Sequence, residues 1–274
     1  MRTVQITDRV AIGPDRLALI AGPCLVEDED TTLRLALELA EICADLDIPF
    51  VFKASYDKAN RTSIRGTRGP GWEKGLEILA RVKDRAEVAL VSDVHETSQV
   101  SRAAEVCDLL QIPAFLCRQT DLLVAAGESG RAVNVKKGQF MAPGDIVHSV
   151  EKVTSTGNER VTITERGFSF GYNNLVVDMR AIPIMRGFDY PVVFDATHSV
   201  QLPSGAGGCS GGQREFVAPL TRAAVAAGAD ALFMETHPNP DEAPCDGPNM
   251  VPLGELRGLL EDALGIHALV HSKQ

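Results

Sequence analysis

The chain has 274 residues, of which 45% are hydrophobic and 23% charged, proportions typical of a soluble globular enzyme and not of a disordered chain. Its 37 acidic and 27 basic residues give a net charge of −10, which argues against nucleic acid or an anionic membrane as the main partner. The first residues lack the apolar core of a signal peptide, and no run approaches the ~20 apolar residues of a membrane span.

Short apolar runs alternate with helical patterns along the chain. Residues 3–12 precede the first run and predict a small hairpin, within residues 1–14, that caps one end of the fold. The later runs are continuous rather than alternating, as expected for strands that are covered on both faces. We predict strands at Leu17–Gly22, Pro49–Ala54, Val88–Val94, Leu109–Pro113, Ala132–Lys136, Val161–Glu165, Val192–Ala196 and Ala231–Glu235.

Amphipathic helices are predicted between the strands, for example at Thr31–Leu46 and Arg214–Ala227. Eight such units in about 250 residues predict an α/β fold, a (β/α)8 TIM barrel formed by a single domain over residues 1–274. An open doubly wound sheet is the alternative, but no GxGxxG segment follows an early strand. The glycine-rich segment 202–215 is interpreted as a mobile active-site loop or as a plain flexible connection.

Polar side chains stand at the end of almost every predicted strand. Catalytic groups of such barrels gather at the carboxyl ends of the strands, and polar groups are costly to bury without a purpose. Together these residues predict a site that binds anions. They are Cys24, Lys53, Asp93, His95, Gln111, Lys136, Glu165, Arg166, Asp195, His198, Glu235 and His237.

The segment KASYDKANRTS, residues 53–63, carries the densest positive charge of this set. Lysine binds phosphate as a point charge and arginine binds it as a planar fork. Both kinds of cation beside hydroxyl groups favour a substrate with more than one anionic group. The alternative is a solvated basic loop.

Four further residues form a candidate metal site. A thiolate, an imidazole and two carboxylates suit a divalent ion such as Zn²⁺, Fe²⁺ or Mn²⁺. The residues are Cys24, His198, Glu235 and Asp246. The alternative is a buried cysteine beside ordinary polar loop residues. Because the six cysteines form no CxxC pair and no disulfide framework, we expect a reducing, cytoplasmic location.

The chain resembles the 3-deoxy-D-manno-octulosonate 8-phosphate synthases over nearly its whole length. The resemblance rests on IAGPC (20–24), FKASYDKANRTS (52–63), RGPG (68–71), SDVHE (92–96), QIPAFLCRQTDLL (111–123), NVKKGQF (134–140), ERGFSFGYNNLVVDMR (165–180), FDATHSVQ (194–201) and METHPNPDEAPCDGPN (235–249). The KANR segment is the most specific element, because the related heptulosonate 7-phosphate synthases typically carry a KPRTS-like segment there.

The resemblance implies condensation of phosphoenolpyruvate with D-arabinose 5-phosphate and water, releasing inorganic phosphate, in the synthesis of the eight-carbon sugar of lipopolysaccharide. It also implies a homotetramer. A heptulosonate synthase that uses erythrose 4-phosphate is the nearest alternative. A catalytically silent barrel and a zinc hydrolase are further alternatives.

The resemblance also assigns roles to residues of this chain. Lys58, Lys136 and Arg166 would hold the phosphate and carboxylate of phosphoenolpyruvate, with Lys53 as a further lysine of that pocket. The sugar phosphate would be held by Asn60, Arg61, Thr62 and Ser63, and Arg118 would reach into a neighbour's site. We predict Lys53, Lys58, Asp93, Lys136, His198 and Asp246 as catalytic groups, and add Gln111 to the substrate-binding residues.

The same resemblance bears on metal use. Members with cysteine at the position of Cys24 resemble a metal-dependent branch, and members with asparagine there work without metal. All four candidate ligands match the metal-dependent set, which predicts a divalent cofactor and no organic one. The segment CDGPN, 245–249, is more similar to the metal-free branch.

Overall fold

The computed structural model describes residues 1–205 and 210–271, and it begins with a small antiparallel pair of strands. These are β1 (Val4–Gln5) and β2 (Ala11–Ile12), as predicted for the hairpin. Ile12 is fully buried and packs with side chains of the barrel interior, among them Ile20. The pair therefore closes the end of the barrel at which the strands begin.

The other strands, in chain order, are β3 (Ala18–Gly22), β4 (Phe50–Lys53), β5 (Ala89–Asp93), β6 (Leu109–Ile112), β7 (Ala132–Lys136), β8 (Val161–Glu165), β9 (Phe168–Ser169), β10 (Leu175–Val176), β11 (Val192–Asp195), β12 (Gln201–Leu202), β13 (Gly211–Gly212), β14 (Ala231–His237) and β15 (Val251–Pro252). Eight of them run parallel in the order β3-β4-β5-β6-β7-β8-β11-β14, and β14 pairs again with β3. The predicted TIM barrel is confirmed, and each predicted strand lies within two residues of an observed one.

In the described part of the chain, eight α-helices cover the outside of the barrel: α1 (Glu29–Asp45), α2 (Trp72–Ala86), α3 (Thr97–Val106), α4 (Thr120–Glu128), α5 (Val147–Thr154), α6 (Ala181–Arg186), α7 (Val217–Ala226) and α8 (Leu253–His271). Helix α1 begins two residues before the predicted Thr31, because the carboxylate of Asp28 caps it by accepting a bond from Thr31 N at 2.8 Å. Within the described residues, no helix has the length and apolarity to cross a membrane.

Two further pairs of short strands lie at the carboxyl end of the barrel. β9 and β10 form a hairpin, and β12 pairs with β13 across the predicted 202–215 loop. Residues 206–209 of that loop lie outside the described residues, so its mobility stays a prediction. Pro203, Ser204 and Ser210 line the cavity described next, which places both sides of the loop at the candidate site.

Candidate active site

A cavity of about 420 Å³ opens at the carboxyl ends of the barrel strands. Thirteen of the residues predicted for the site line it: Lys53, Lys58, Asn60, Arg61, Thr62, Ser63, Asp93, Gln111, Lys136, Arg166, His198, Glu235 and Asp246. Cys24, which is buried behind the cavity wall, and Arg118, which is exposed, lie outside the lining. Four of the polar residues predicted at strand ends also lie outside it: His95, Glu165, Asp195 and His237.

Asp195, at the end of β11, holds two of these residues in place. Its carboxylate lies 2.7 Å from Lys136 Nζ and 2.9 Å from His198 Nδ1, and it also accepts a bond from the backbone N–H of His198. Burial alone would raise the pKa of Asp195, but His198 and Lys136 hold it well below its usual range. Asp195 is therefore an anion that orients a cation and an imidazole toward the cavity.

A second group joins the ends of β4 and β14. Lys53 Nζ lies 2.5 Å from Glu235 Oε1, and Lys58 Nζ lies 3.6 Å from the same oxygen and 3.5 Å from Asp246 Oδ2. Burial lowers the pKa of Lys53, whereas Glu235 and Asp246 overcome burial and raise the pKa of Lys58. The two lysines hold the pKa of Glu235 below its ordinary value despite burial.

A chain of hydrogen bonds crosses the inside of the barrel from β5 to β8. Gln111 donates to Asp93, and Asn134 donates to Gln111 Oε1 at 2.9 Å. Thr162 and Thr164 both donate to Asn134 Oδ1. Burial would raise the pKa of Asp93, but Lys53, His95 and Lys58 lower it to about 2.

Some buried polar atoms at the cavity find no hydrogen-bond partner in the described part of the chain. They include Nε of Arg61, Nη1 of Arg166 and Oε2 of Glu235. Buried polar groups are normally satisfied, so unpaired donors and an unpaired acceptor beside a cavity are expected to meet a ligand there. The site can thus take both an anion, at the arginines, and a cation, at Glu235.

Three of the four predicted metal ligands converge. Ligand atoms of His198, Glu235 and Asp246 lie within 4.8 Å of one another. The carboxylate of Asp195 occupies the Nδ1 side of the His198 ring. The other ring nitrogen, Nε2, faces Glu235 and lies 3.9 Å from Glu235 Oε2. A carboxylate behind a ligating histidine is common at metal sites, so these residues fit a divalent ion.

Cys24 differs from its prediction, because its sulfur forms a disulfide with Cys245. The expectation that the cysteines form no disulfide is wrong for this pair. The two residues are 221 positions apart in sequence, but their Cα atoms lie 6.6 Å apart, because β3 is the barrel neighbour of β14. Cys24, Cys245 and Asp246 also place ligand atoms within 4.8 Å of one another.

Several residues of the site had no predicted role. Gln201 bridges Arg166 and Asp246, accepting from the first at 3.2 Å and donating to the second at 3.1 Å. Asn134 links the interior hydrogen bonds, and Asp195 was recognised only as a polar strand end. Their roles depend on side chains from other strands, for which the sequence has no local signal. Cys245 enters the sequence analysis only as part of the CDGPN segment, 245–249.

A (β/α)8 barrel whose carboxyl end carries a cavity lined with lysine, arginine and buried carboxylates belongs to the barrel enzymes that act on small phosphorylated anions. The particular family follows from comparison with known proteins. Residues 2–266 match the model of the DAHP synthetase I family, and the chain belongs to that family.

Its relatives are similar over nearly their whole length. The chain is 58% identical over 268 residues to a 2-dehydro-3-deoxyphosphooctonate aldolase of Syntrophotalea carbinolica, spanning 98% of this chain and 97% of that protein. It is 60% identical over 262 residues to the protein of that name from Geobacter sulfurreducens, and 61% identical over 262 residues to that of Geobacter metallireducens. Both of these alignments span 95% of this chain and 96% of the relative.

Proposed function

We propose that this chain is a 3-deoxy-D-manno-octulosonate 8-phosphate synthase, the enzyme also called 2-dehydro-3-deoxyphosphooctonate aldolase. It condenses phosphoenolpyruvate with D-arabinose 5-phosphate and water to give the octulosonate 8-phosphate and inorganic phosphate, a step toward lipopolysaccharide. The main support for this function is a sequence identity near 60% to relatives of that name, over at least 95% of both chains. The cationic cavity supports it independently.

In the reaction, carbon 3 of phosphoenolpyruvate attacks the aldehyde carbon of the sugar, and water adds at carbon 2. The bond between carbon 2 and the phosphate oxygen then breaks, and inorganic phosphate leaves. Two phosphates and a carboxylate repel one another, so the reactants need a fixed cationic frame to meet. Lys58, Lys136 and Arg166 provide that frame for phosphoenolpyruvate, and it also stabilises the charge of the departing phosphate.

The sugar phosphate is assigned to the segment that follows β4. Asn60, Arg61, Thr62 and Ser63 line the outer part of the same cavity, and Arg61 brings a buried Nε without a partner among the described residues. A guanidinium that has no carboxylate partner is available to a phosphate. Gln111, which is buried, and Asp93 line the same cavity, and we assign them to the reacting parts of the two substrates.

We assign a divalent cation to His198, Glu235 and Asp246, with Cys24 as a fourth ligand when its sulfur is a free thiolate. When bound, such an ion polarises an aldehyde oxygen or lowers the pKa of a water molecule. Asp195 keeps His198 in the orientation that presents Nε2, and Lys53 stays beside Glu235 Oε1, which leaves Oε2 for the ion.

The deciding experiment measures phosphate release from phosphoenolpyruvate with two sugars, D-arabinose 5-phosphate and D-erythrose 4-phosphate. Protein reduced and stripped with a chelator is compared with the same protein after a divalent ion is restored. We expect release with the five-carbon sugar, and only after metal is added. Preference for the four-carbon sugar would overturn the octulosonate assignment, whereas release by the stripped protein would keep the reaction and refute the metal site.

We also propose that the chain forms a homotetramer and acts in the cytoplasm. The β9–β10 hairpin exposes Phe168, Phe170, Tyr172 and Val176, with Tyr172 98% and Phe170 70% accessible. Exposed apolar side chains gathered on one hairpin are typical of a surface that another protein covers. Arg118 is exposed on the same face of the barrel and is assigned to the site of a neighbouring subunit.

A further inference from the structure

Cys24 and Cys245 join the first barrel strand to the loop that follows the last one. Cys24 comes after β3 and is 1% exposed, within a small apolar cluster that includes Leu25 and Met250. Cys245 is half-buried and lines the cavity directly before Asp246. The disulfide thus has one sulfur in the protein interior and the other at the wall of the active site.

We propose that Cys24 and Cys245 are a reversible thiol–disulfide pair that determines whether the cation site has its sulfur ligand. The proposal rests on the function proposed above, since it concerns the same cation. In the oxidised form Cys24 Sγ is bonded to Cys245 and offers no thiolate. In the reduced form Cys24 is a free thiol, which loses its proton when it binds a divalent ion.

The chemistry is exchange with a small disulfide of the glutathione type. The Cys245 thiolate attacks one sulfur of the small disulfide, forming a mixed disulfide and releasing one small thiol. The Cys24 thiolate then attacks the Cys245 sulfur, which forms the internal bond and releases the second small thiol. Two protein thiols are oxidised and one small disulfide is reduced to two thiols, so atoms and electrons balance.

The positions of the two sulfurs suit this order of events. Cys245 meets the cavity, so a reagent in solvent reaches it first, whereas Cys24 is shielded and reacts only with its neighbour. The backbone of Cys24 is held by Lys53, whose Nζ donates to its carbonyl oxygen at 3.1 Å. Cys24 therefore stays in reach of Cys245 when the bond opens.

The remaining described cysteines are poor competitors for the reagent. Cys43, Cys107 and Cys117 are buried free thiols. Burial raises the pKa of Cys43 and Cys107 to about 12 and also raises that of Cys117. Because the thiolate is the reactive form, these three are expected to stay reduced while the pair responds.

Oxidation also affects the carboxylate beside the pair. Asp246 follows Cys245 with φ at 55°, a left-handed backbone conformation that is uncommon outside glycine. Its carboxylate contacts Lys58 and Gln201, the residues that would position it for a cation. The disulfide fixes Cys245, the residue before Asp246. The bond that removes the Cys24 thiolate as a ligand therefore also restrains Asp246.

The test uses the full chain carrying Cys209→Ser, so that only five thiols remain, and equilibrates it with reduced or oxidised glutathione before gel filtration and addition of Co²⁺. We expect five titratable thiols after reduction and three after oxidation. The reduced protein should show the absorption band of a thiolate bound to cobalt, and the oxidised protein should lack it. Phosphate release should fall about tenfold or more on oxidation and return on reduction.

Two variants on the same background separate the pair from general oxidation. Cys245→Ser should keep the cobalt–thiolate band after treatment with oxidised glutathione. Its rate of phosphate release should be nearly the same after treatment with oxidised and with reduced glutathione. Cys24→Ser should lack the band under both conditions. Five thiols after oxidation, or an undiminished cobalt band in the oxidised protein, would overturn the proposal. The thiol count and the cobalt band could change with the glutathione treatment as expected while the protein releases no phosphate. That result would refute the proposed reaction and still support the thiol–disulfide pair.

Discussion

At the scale of single residues, Lys136 shows how the barrel fixes a charge. Its ammonium lies 2.7 Å from Asp195 Oδ2 and 3.5 Å from the centre of the Phe233 ring. A carboxylate and an aromatic face together hold the ammonium in one place. A cation positioned in this way needs no rearrangement when an anion arrives, which is the condition for stabilising charge that develops during a reaction.

The first prediction is that Lys136→Ala lowers turnover about a hundredfold or more while lowering stability far less, because the lysine serves substrate rather than packing. Steady-state phosphate release and urea unfolding check the two quantities. Lys74→Ala, at an exposed lysine of α2, is the matched control and should change neither. An unchanged turnover number in Lys136→Ala would refute the assigned role.

The second prediction concerns Asp93, whose pKa is lowered from 3.8 to about 2. A carboxylate with a depressed pKa stabilises the folded state above its unfolded pKa, and this contribution is lost as the pH falls from about 4 toward 2. It amounts to about 2 kcal/mol at neutral pH. The free energy of unfolding should therefore fall more steeply with acid in the wild type than in Asp93→Asn.

Urea unfolding between about pH 6 and about pH 3 measures that slope. Asp84→Asn, at an exposed carboxylate of α2, is the control and should keep the wild-type acid dependence. Equal slopes for the wild type and Asp93→Asn would mean that the lysines around Asp93 do not act on it as described.

At the scale of elements, one end of the barrel contributes to stability and the other end carries the candidate site. The β1–β2 hairpin fills the end at which the strands begin, and Ile12 is its fully buried side chain. The residues that line the candidate site gather at the other end. Stability and chemistry are therefore separable by position along the strands, as is general for this fold.

The third prediction uses this separation. Ile12→Ala should lower the free energy of unfolding by about 3 kcal/mol, because it leaves a cavity among packed side chains. The KM values for both substrates should stay unchanged, since the site lies at the opposite end. Ile184→Ala, at a half-exposed position of α6, is the control for stability. A raised KM in Ile12→Ala would show that the hairpin acts on the site after all.

The barrel strands and the N-terminal hairpin could be predicted from the sequence, and the short strand pairs at the carboxyl end of the barrel could not. Continuous apolar runs such as Ala18–Gly22 are long enough to identify a buried parallel strand. The two-residue pairs β9–β10 and β12–β13 are too short for any periodic pattern. In the site, Lys53 and Lys136 are predictable because each stands at the end of an apolar run, and Lys58 because it lies in the basic segment 53–63. The contact of Asp195 with Lys136 instead depends on how distant strands come together.

At the scale of the whole molecule, the exposed side chains of the β9–β10 hairpin indicate where subunits would meet. The fourth prediction is that Phe170→Glu with Tyr172→Glu breaks the proposed tetramer into smaller species, because charge opposes burial of that surface. Light scattering coupled to gel filtration gives the mass. Leu37→Glu, at an exposed position of α1, is the control and should keep the wild-type mass. A wild-type mass for the double variant would refute the assignment of this surface.

The Cys24–Cys245 bond also changes the connectivity of the polypeptide. It turns the segment between these residues into a covalent ring that contains the six barrel strands from β4 to β11 and all of β14. A protease that cuts one loop inside this ring opens it without separating the chain into two molecules. The fragments of a singly nicked molecule would therefore migrate as one species on a denaturing gel until a reductant is added.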